Sequence, residues 1–346
     1  MHSILVTGSG CPGWYSVFRL LKEWEKDAWK YLRIFGCDSS HNPSGAALVD
    51  KNFCVPNGSE DGYVEEILRI VEENEIEAVL PLTDPELLPL SRAVSRFEAV
   101  GCRVLCSKEE TFSLVLDKGH LYSRFPHLSP KFEYLEDPAR VGEFIAESSD
   151  GESCFVKLTN AYGSRGTKKI VSDKTWAEGF EGKKPEAFGL TFPLSQVRKL
   201  MLWCSGHKML VETLPGAEYS IDCIFESSGA FLFYGVRERE MTRSGICHTA
   251  KFIPDSGGEF CEFIAAINRW VSFRHIINIQ AKRDKDGALK LLEINPRVPG
   301  SIGSWRPVGY NLVGMMLDML WGDERRGDLT PEEYIVPHTF RVSRFI

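Results

Sequence analysis

The stretch "INIQAKRDKDGALKLLEINPRVPGS", residues 277–301, gathers hard oxygen donors and a guanidinium at strand spacing. Asp286-Gly287 marks a hairpin turn between two apolar-rich strands. Gln280 on the first strand falls near Glu293 on the second. Glu293 and Asn295 alternate across one residue and so share a face, while Ile294 points the other way, into a core. A carboxylate and two amide oxygens suit Mg²⁺, which keeps waters and shares nucleotide phosphates. Arg297 lies on that same face and can hold a phosphoryl group in transfer. Glu and Arg are costly to bury at strand centres, which favours a metal site over a surface salt bridge.

Two further segments carry chemistry of the same kind. In "FVKLTNAYGSRGTKKI", Lys157 ends a strand and Gly163, Ser164, Arg165 and Gly166 form a turn. Glycine-rich backbone N–H groups can wrap phosphate oxygens, and Lys157 and Arg165 add positive charge. A plain hairpin turn with solvated Lys168 and Lys169 fits these residues equally. In "LVETLPGAEYSID", Glu212 ends a strand, Pro215-Gly216 turns the chain and Glu218 follows. Such a strand-end linker can present backbone groups to an adenine edge and a carboxylate to ribose hydroxyls. Taken alone it reads as a β-turn with two surface acids.

A third glycine cluster opens the chain. Gly8, Gly10 and Gly13 in "ILVTGSGCPGWYSV" have the G-x-G-x-x-G spacing after an apolar run. A dinucleotide site also needs a following helix and an acid at the end of the second strand, which Asp38 supplies. Against it, Pro12 removes a backbone N–H beside the expected pyrophosphate. Asp38 also lies 30 residues after Gly8, where about 20 is usual. The alternative is a tight turn and close helix packing.

Strands and amphipathic helices alternate through residues 1–107, which predicts a parallel sheet with crossover helices. Beyond residue 108 the strands are joined by short turns, predicting an α+β unit with an antiparallel sheet. The polar, Gly- and Pro-broken run "DKTWAEGFEGKKPEAFGLTFP" reads as a surface loop. The Met and Leu stripe of "GYNLVGMMLDMLWG" reads as core packing. The chain has 346 residues, enough for two or three domains. A net charge of −7 gives no basic field for a nucleic acid. No apolar run is long enough to span a membrane, and the N-terminus lacks a secretory pattern. Ten cysteines without a C-x-x-C pair read as reduced thiols in the cytoplasm, not a zinc site. A homodimer is the base-rate expectation.

In this order, "FVKLTNAYGSRG", "VETLPGAEYSID" and "LLEINPR" resemble the ATP-grasp superfamily. Within it the chain is similar to single-chain enzymes related to one half of the carbamoyl-phosphate synthetase large subunit. "VTGSGCPG" and "VLPLTDPELLPLSR" resemble that group's N-terminal domain, "LDKGHLYSRF" its D-K segment, and residues 236–245 its R-x-R…R-x-G stretch. The resemblance implies a Rossmann-like pre-ATP-grasp domain over 1–107 that holds no NAD, followed by an ATP-grasp domain over 108–325. The latter would divide into 108–205, with the glycine loop, and 206–325, with the metal-binding sheet; residues 326–346 would be a tail packed on the core. It implies ATP-dependent phosphorylation of a small carboxylate, an amino acid by family analogy, and coupling to an amine or thiol. An oxidoreductase using the opening glycines and a non-catalytic ATP-binding protein are the alternatives. No Y-x-x-x-K relay supports the former.

Residue by residue, the resemblance implies that Lys118 and Lys157 contact ATP phosphates under a loop of residues 163–166. Glu212 and Leu214 would line the adenine pocket and Glu218 would bind ribose. Gln280, Glu293 and Asn295 would hold two Mg²⁺ ions, replaceable by Mn²⁺. Arg297 would stabilise the acyl phosphate, with Arg237, Arg239 and Arg243 as carboxylate or phosphate contacts. Asp84 and Glu86 would border the substrate amine, with a helix N-cap by Asp84 as the equal alternative.

Overall fold

The computed structural model describes residues 1–161, 166–180, 191–202, 206–243, 246–322 and 340–343. The N-terminal unit comprises β1 (His2–Val6), α1 (Trp14–Ala28), β2 (Leu32–Asp38), β3 (Lys51–Cys54) and α2 (Tyr63–Asn74). It continues with β4 (Ala78–Leu80), α3 (Asp84–Arg92), α4 (Val94–Ala99) and β5 (Arg103–Val104). The five strands are parallel in the order β3-β2-β1-β4-β5. Residues 1–107 therefore have the expected crossover pattern.

Two short helices, α5 (Glu109–Val115) and α6 (Lys118–Arg124), lead into the middle sheet. That sheet holds β6 (Phe132–Tyr134), β7 (Ser153–Leu158), β8 (Thr167–Val171), β9 (Thr191–Pro193) and β10 (Lys208–Glu212), with α7 (Arg140–Ala146), α8 (Asp173–Phe180) and α9 (Val197–Met201) between strands. β7 and β8 form the expected antiparallel hairpin, with Lys157 opposite Thr167. Two expectations are corrected. Lys208–Glu212 pairs with β6 and β7, so the middle sheet runs past residue 205 to Glu212. The segment read as a loop from Asp173 begins as α8, where the Ser172 hydroxyl accepts the Thr175 N–H at 3.1 Å.

The third sheet is antiparallel throughout its described strands, in the order β15-β14-β11-β12-β13-β16. Its strands are β11 (Glu218–Phe225), β12 (Phe231–Arg243), β13 (Ile246–Ile253), β14 (His275–Arg283), β15 (Leu289–Asn295) and β16 (Phe340–Ser343). Helices α10 (Glu259–Asn268) and α11 (Leu312–Trp321) are the remaining α-helices among the described residues. Of the expected C-terminal tail, only β16 lies within the described residues, where it pairs with β13.

One face of the third sheet is apolar. Ile221, Cys223, Ile277, Ile279, Leu291 and Ile294 pack there with Phe260, Phe263 and Ile264 of α10. On the opposite face, Ile224, Phe233, Phe252 and Ile276 join a second core built from β1, α1 and α11. The helical spacing of Trp14, Val17, Leu20, Leu21 and Trp24 buries one face of α1 in that core, against Val313, Met316 and Leu317. The expected core role of the Met and Leu stripe in α11 is thereby present. This shared core locks the N-terminal sheet to the third sheet and fixes the cleft between them. Among the described residues, no helix is long and apolar enough to cross a membrane.

Candidate active site

The polar half of the third sheet follows from strand periodicity. Asp222 lies opposite Asn278, Ser220 opposite Gln280 and Glu218 opposite Lys282. Across the next pair, Asn278 meets Asn295 and Gln280 meets Glu293. Side chains alternate, so all of these share the face turned away from the apolar core. β15 needs one interruption to do this. Leu289 and Leu291 are buried in the apolar core, so an unbroken strand would bury Glu293 beside them. The register shifts between Gln280 and Ala281, leaving Leu292 as an extra residue, and Glu293 and Asn295 turn to the polar face. The Tyr122 hydroxyl donates to the Leu292 carbonyl at 2.8 Å and steadies the bulge.

Cations gather over this face. Lys118 is the first residue of α6, whose N-cap Asp117 accepts the His120 N–H at 2.9 Å. Its ammonium lies 3.6 Å from the Glu293 carboxylate and donates to the Ala161 carbonyl at 2.6 Å. Burial would raise the Glu293 pKa, but Lys118, the Asn295 amide (3.2 Å), Lys157 and Arg239 outweigh it, and the carboxyl sits below its usual range. Lys157 is lowered to about 8 by burial and by repulsion from Lys118, against attraction to Glu293 and Glu218.

Arg297 follows β15 and reaches across to the N-terminal unit. Its Nε and Nη2 donate to the two oxygens of Asp84, each at 2.8 Å. Burial would lower the guanidinium pKa, but Asp84 outweighs it and the pKa rises. Asp84 is the first residue of α3, and the cap is Thr83, so the N-cap expected at Asp84 is corrected. The Glu86 carboxylate accepts the Thr83 N–H at 2.6 Å and the Thr7 hydroxyl at 2.7 Å, and it also bonds the Tyr63 hydroxyl. That carboxylate, 2% exposed, is committed to the helix start rather than turned to a substrate.

The opening glycines serve packing. A Cβ on Gly13 would lie 2.5 Å from the Gly300 Cα, so α1 meets the segment after Arg297 backbone to backbone. Asp38, the acid expected for ribose in a dinucleotide site, accepts the Gly10 and Ser40 N–H groups, each at 2.8 Å. Together these elements enclose a cleft of about 1070 Å³ between the N-terminal unit, the middle sheet and the third sheet.

Residues 206–340 match the family model described as "ATP-grasp in the biosynthetic pathway with Ter operon", and residues 4–105 match "PylC-like, N-terminal domain". The chain carries an ATP-grasp domain behind a PylC-like N-terminal domain. No curated protein matches it in sequence. Among solved structures, N5-carboxyaminoimidazole synthetase from Staphylococcus aureus, complexed with ADP, superposes with a TM-score of 0.66 at 13% identity, covering 93% of this chain and 78% of that one. Biotin carboxylase from Campylobacter jejuni gives 0.66 at 15% identity, covering 96% and 73%. L-amino acid ligase from Bacillus licheniformis gives 0.61 at 13%, covering 93% and 74%. At this identity the likeness shows a shared fold.

Around the ATP-grasp cleft stand Lys118, Lys157, Glu212, Leu214, Glu218, Gln280, Glu293, Asn295 and Arg297, with Asp84, Glu86 and Arg239. At the end of β10, the Glu212 carboxylate accepts the Lys131 N–H at 2.6 Å. Glu218 pairs with Arg239 at 3.1 Å. Arg237 is corrected: it is fully buried, does not line the cleft, and its Nε donates to Asp222 at 2.8 Å. Asp222 also takes the Asn278 amide at 2.7 Å and the Trp305 indole N–H at 2.6 Å, while Arg237 Nη1 reaches Ser301 at 2.9 Å. The network anchors the segment beyond Arg297 to the sheet.

Gly166 is the neck of the β7–β8 hairpin, where a Cβ would lie 2.2 Å from that of Ala161. Gly163, Ser164, Arg165 and the Arg243 side chain lie outside the described residues. Sequence reasoning missed Lys282, Ser220 and Asn278, which also line the cleft. Their signal was the alternation that places Asn278, Gln280 and Lys282 on one face of β14. Among the described residues, no group of three or more His, Cys, Asp or Glu side chains forms a metal cluster. Glu293 and the amide oxygens of Gln280 and Asn295, together on one face of the cleft, form a hard oxygen set that fits a Mg²⁺ bringing most of its ligands as water and phosphate.

Proposed function

We propose that the chain is an ATP-dependent ligase that phosphorylates a small carboxylate, an amino acid by class, and joins the acyl phosphate to an amine. Its products are the amide, ADP and phosphate. The observation that carries this reading is the convergence of Lys118, Lys157, the Gln280–Glu293–Asn295 oxygen set and Arg297 on one cleft. The ADP in the S. aureus synthetase supports nucleotide binding by this fold. The amino acid ligase of B. licheniformis supports the substrate class.

Phosphoryl transfer requires alignment and charge neutralisation more than a protein nucleophile. Lys118 and Lys157 meet the phosphate oxygens, and a polyphosphate beside Lys157 favours its charged form against the burial that lowers its pKa. Glu218 would bind the ribose, Leu214 would line the adenine pocket and Arg239 would contact a carboxylate or phosphate; all three line the cleft. Mg²⁺ held by Glu293 and the two amides supplies charge neutralisation and orients the phosphates when bound. The substrate carboxylate oxygen attacks the γ-phosphorus and ADP leaves. The amine then attacks the acyl carbon and phosphate leaves, with loss of the amine proton. Arg297 holds the phosphoryl group through both steps. The presence of Glu293, Asn295 and Arg297 together disfavours a purely binding role. The ten cysteines without a C-x-x-C pair, read as reduced thiols, support a cytoplasmic location.

Thermal unfolding with Mg-ATP and, separately, with NAD⁺, NADH and NADPH tests this. Mg-ATP at a hundred times its Kd adds about 2.7 kcal/mol of stability. Glu293→Ala abolishes both this gain and ADP formation while the protein stays folded. A gain from a nicotinamide cofactor and none from Mg-ATP refutes the ligase reading.

A further inference from the structure

Arg297, a cation of the cleft, is held at two points by a residue of the N-terminal unit. Its partner Asp84 is 213 residues away in sequence, at the start of α3. A guanidinium has five N–H groups. Nε and one N–H of Nη2 go to Asp84, and one N–H of Nη1 goes to the Val298 carbonyl at 3.3 Å. Among the described residues no partner takes the second N–H of either terminal nitrogen, and Arg297 lines the cleft with Asn295 and Glu293.

The mount beneath Asp84 is rigid. Glu86 ties the start of α3 to Leu82 N–H (3.0 Å), Thr83 N–H (2.6 Å) and the Thr7 hydroxyl (2.7 Å), so two backbone groups and a side chain just past β1 fix where Asp84 sits. Pro85 sets the first turn of the helix, and the acid at its first position is favoured by the helix dipole. The side chains of Asp84 and Arg297 are 9% and 18% exposed, so water competes weakly for their bonds.

We propose that Asp84 is a positioning residue: its carboxylate holds the Arg297 guanidinium side-on, aiming the two remaining N–H groups at the phosphoryl group in transfer. The inference rests on the ligase reading above. It replaces the expectation that Asp84 touches a substrate amine. Misplacing a catalytic group by about 1 Å costs up to about 100-fold.

Mg-ADP with fluoroaluminate, a mimic of the phosphoryl group in transit, reads this without knowledge of the acceptor. Kd values for Mg-ADP alone and for Mg-ADP with fluoroaluminate are measured by calorimetry on the full chain. In the wild type, fluoroaluminate tightens binding at least about 100-fold. Asp84→Asn leaves the Mg-ADP Kd within twofold and cuts the tightening at least tenfold. Asp84→Glu, which keeps the charge but shifts the carboxylate by a methylene, does the same and serves if Asp84→Asn does not fold. In an Arg297→Lys background, Asp84→Asn changes the tightening less than twofold.

A merely structural ion pair predicts the opposite: lower thermal stability with the tightening ratio unchanged. That result overturns the proposal. Wild-type protein that binds Mg-ADP but shows no tightening overturns the positioning role alone. Wild-type protein that does not bind Mg-ADP overturns the ligase reading beneath it.

Discussion

Replacing Gly13 by Ala tests what the opening glycine motif is for. The added Cβ would stand 2.5 Å from the Gly300 Cα and 3.2 Å from its carbonyl oxygen. Ordinary carbon contacts begin near about 3.5 Å, so the two backbones must part by about 1 Å. Neither side yields easily. Trp14 and Val17 hold α1 in the shared core, and Ser301 is bonded to Arg237 beside Gly300. Overpacking of this kind costs about 1–3 kcal/mol. Gly13 has φ −87° and ψ −13°, a conformation Ala adopts freely. On backbone entropy alone Gly13→Ala would stabilise the chain by about 0.4–1 kcal/mol. The sign of the effect therefore isolates the clash. Thermal unfolding of the ligand-free protein should show a Tm lowered by several degrees. An unchanged or raised Tm refutes the packing role of Gly13. If nicotinamide binding were lost at unchanged Tm, the glycines would be a dinucleotide loop after all.

The other predictions concern stability. In α8, a Cβ on Gly179 meets nothing within 4 Å, so Gly179→Ala should stabilise the protein by up to about 1 kcal/mol, seen as a raised Tm. Arg237→Met removes one member of a pair with no exposed surface and leaves Asp222 charged and buried, which should cost about 3–5 kcal/mol in denaturant unfolding; a loss below about 1 kcal/mol would show the pair to be dispensable. Burial, with Arg274 and Arg103 nearby, lowers the His275 pKa to about 4. Unfolded His takes its proton near pH 6.5, so between pH 6.5 and 4 the unfolded state binds more protons. Stability should then fall as pH drops through that window, by at most about 1.4 kcal/mol per pH unit. His275→Asn, suited to the φ of +59° at this position, should remove that slope; an unaltered slope assigns it to other groups.

Period and punctuation made the elements legible. The helical spacing from Trp14 to Trp24 gave α1, and the apolar-rich run "YSIDCIF" gave β11. The Gln280–Glu293 pairing was legible because Asp286-Gly287 sets a short hairpin. What hid the bulge at Leu292 was its size: a single extra residue changes the face of everything after it. Its only trace is the spacing of Leu289, Leu291 and Ile294, which breaks the period of two. The place of Lys208–Glu212 was not legible at all, because β10 pairs with β6 and β7 by long-range contacts that local pattern does not encode.

Charged residues were harder still, since their roles depend on the partner they meet. Arg237 and Arg239 are two apart on β12 and indistinguishable by spacing. One meets Asp222 under Trp305; the other meets Glu218 at the cleft. Gly235 decides between them, because only a residue without a Cβ lets the Trp305 ring close over that end of the sheet: its Cζ2 lies 2.7 Å from where a Cβ would stand. Beneath that ring the polar face becomes core, and an arginine there is used to hold structure. Two residues along, the same side chain is at the edge of the cleft. Asp84 and Glu86 divide the same way on α3. The acid at the third position turns back to cap its own helix, and the one at the first position faces Arg297. In both places a step of two residues separates a side chain committed to structure from one that lines the cleft beside a partner of opposite charge.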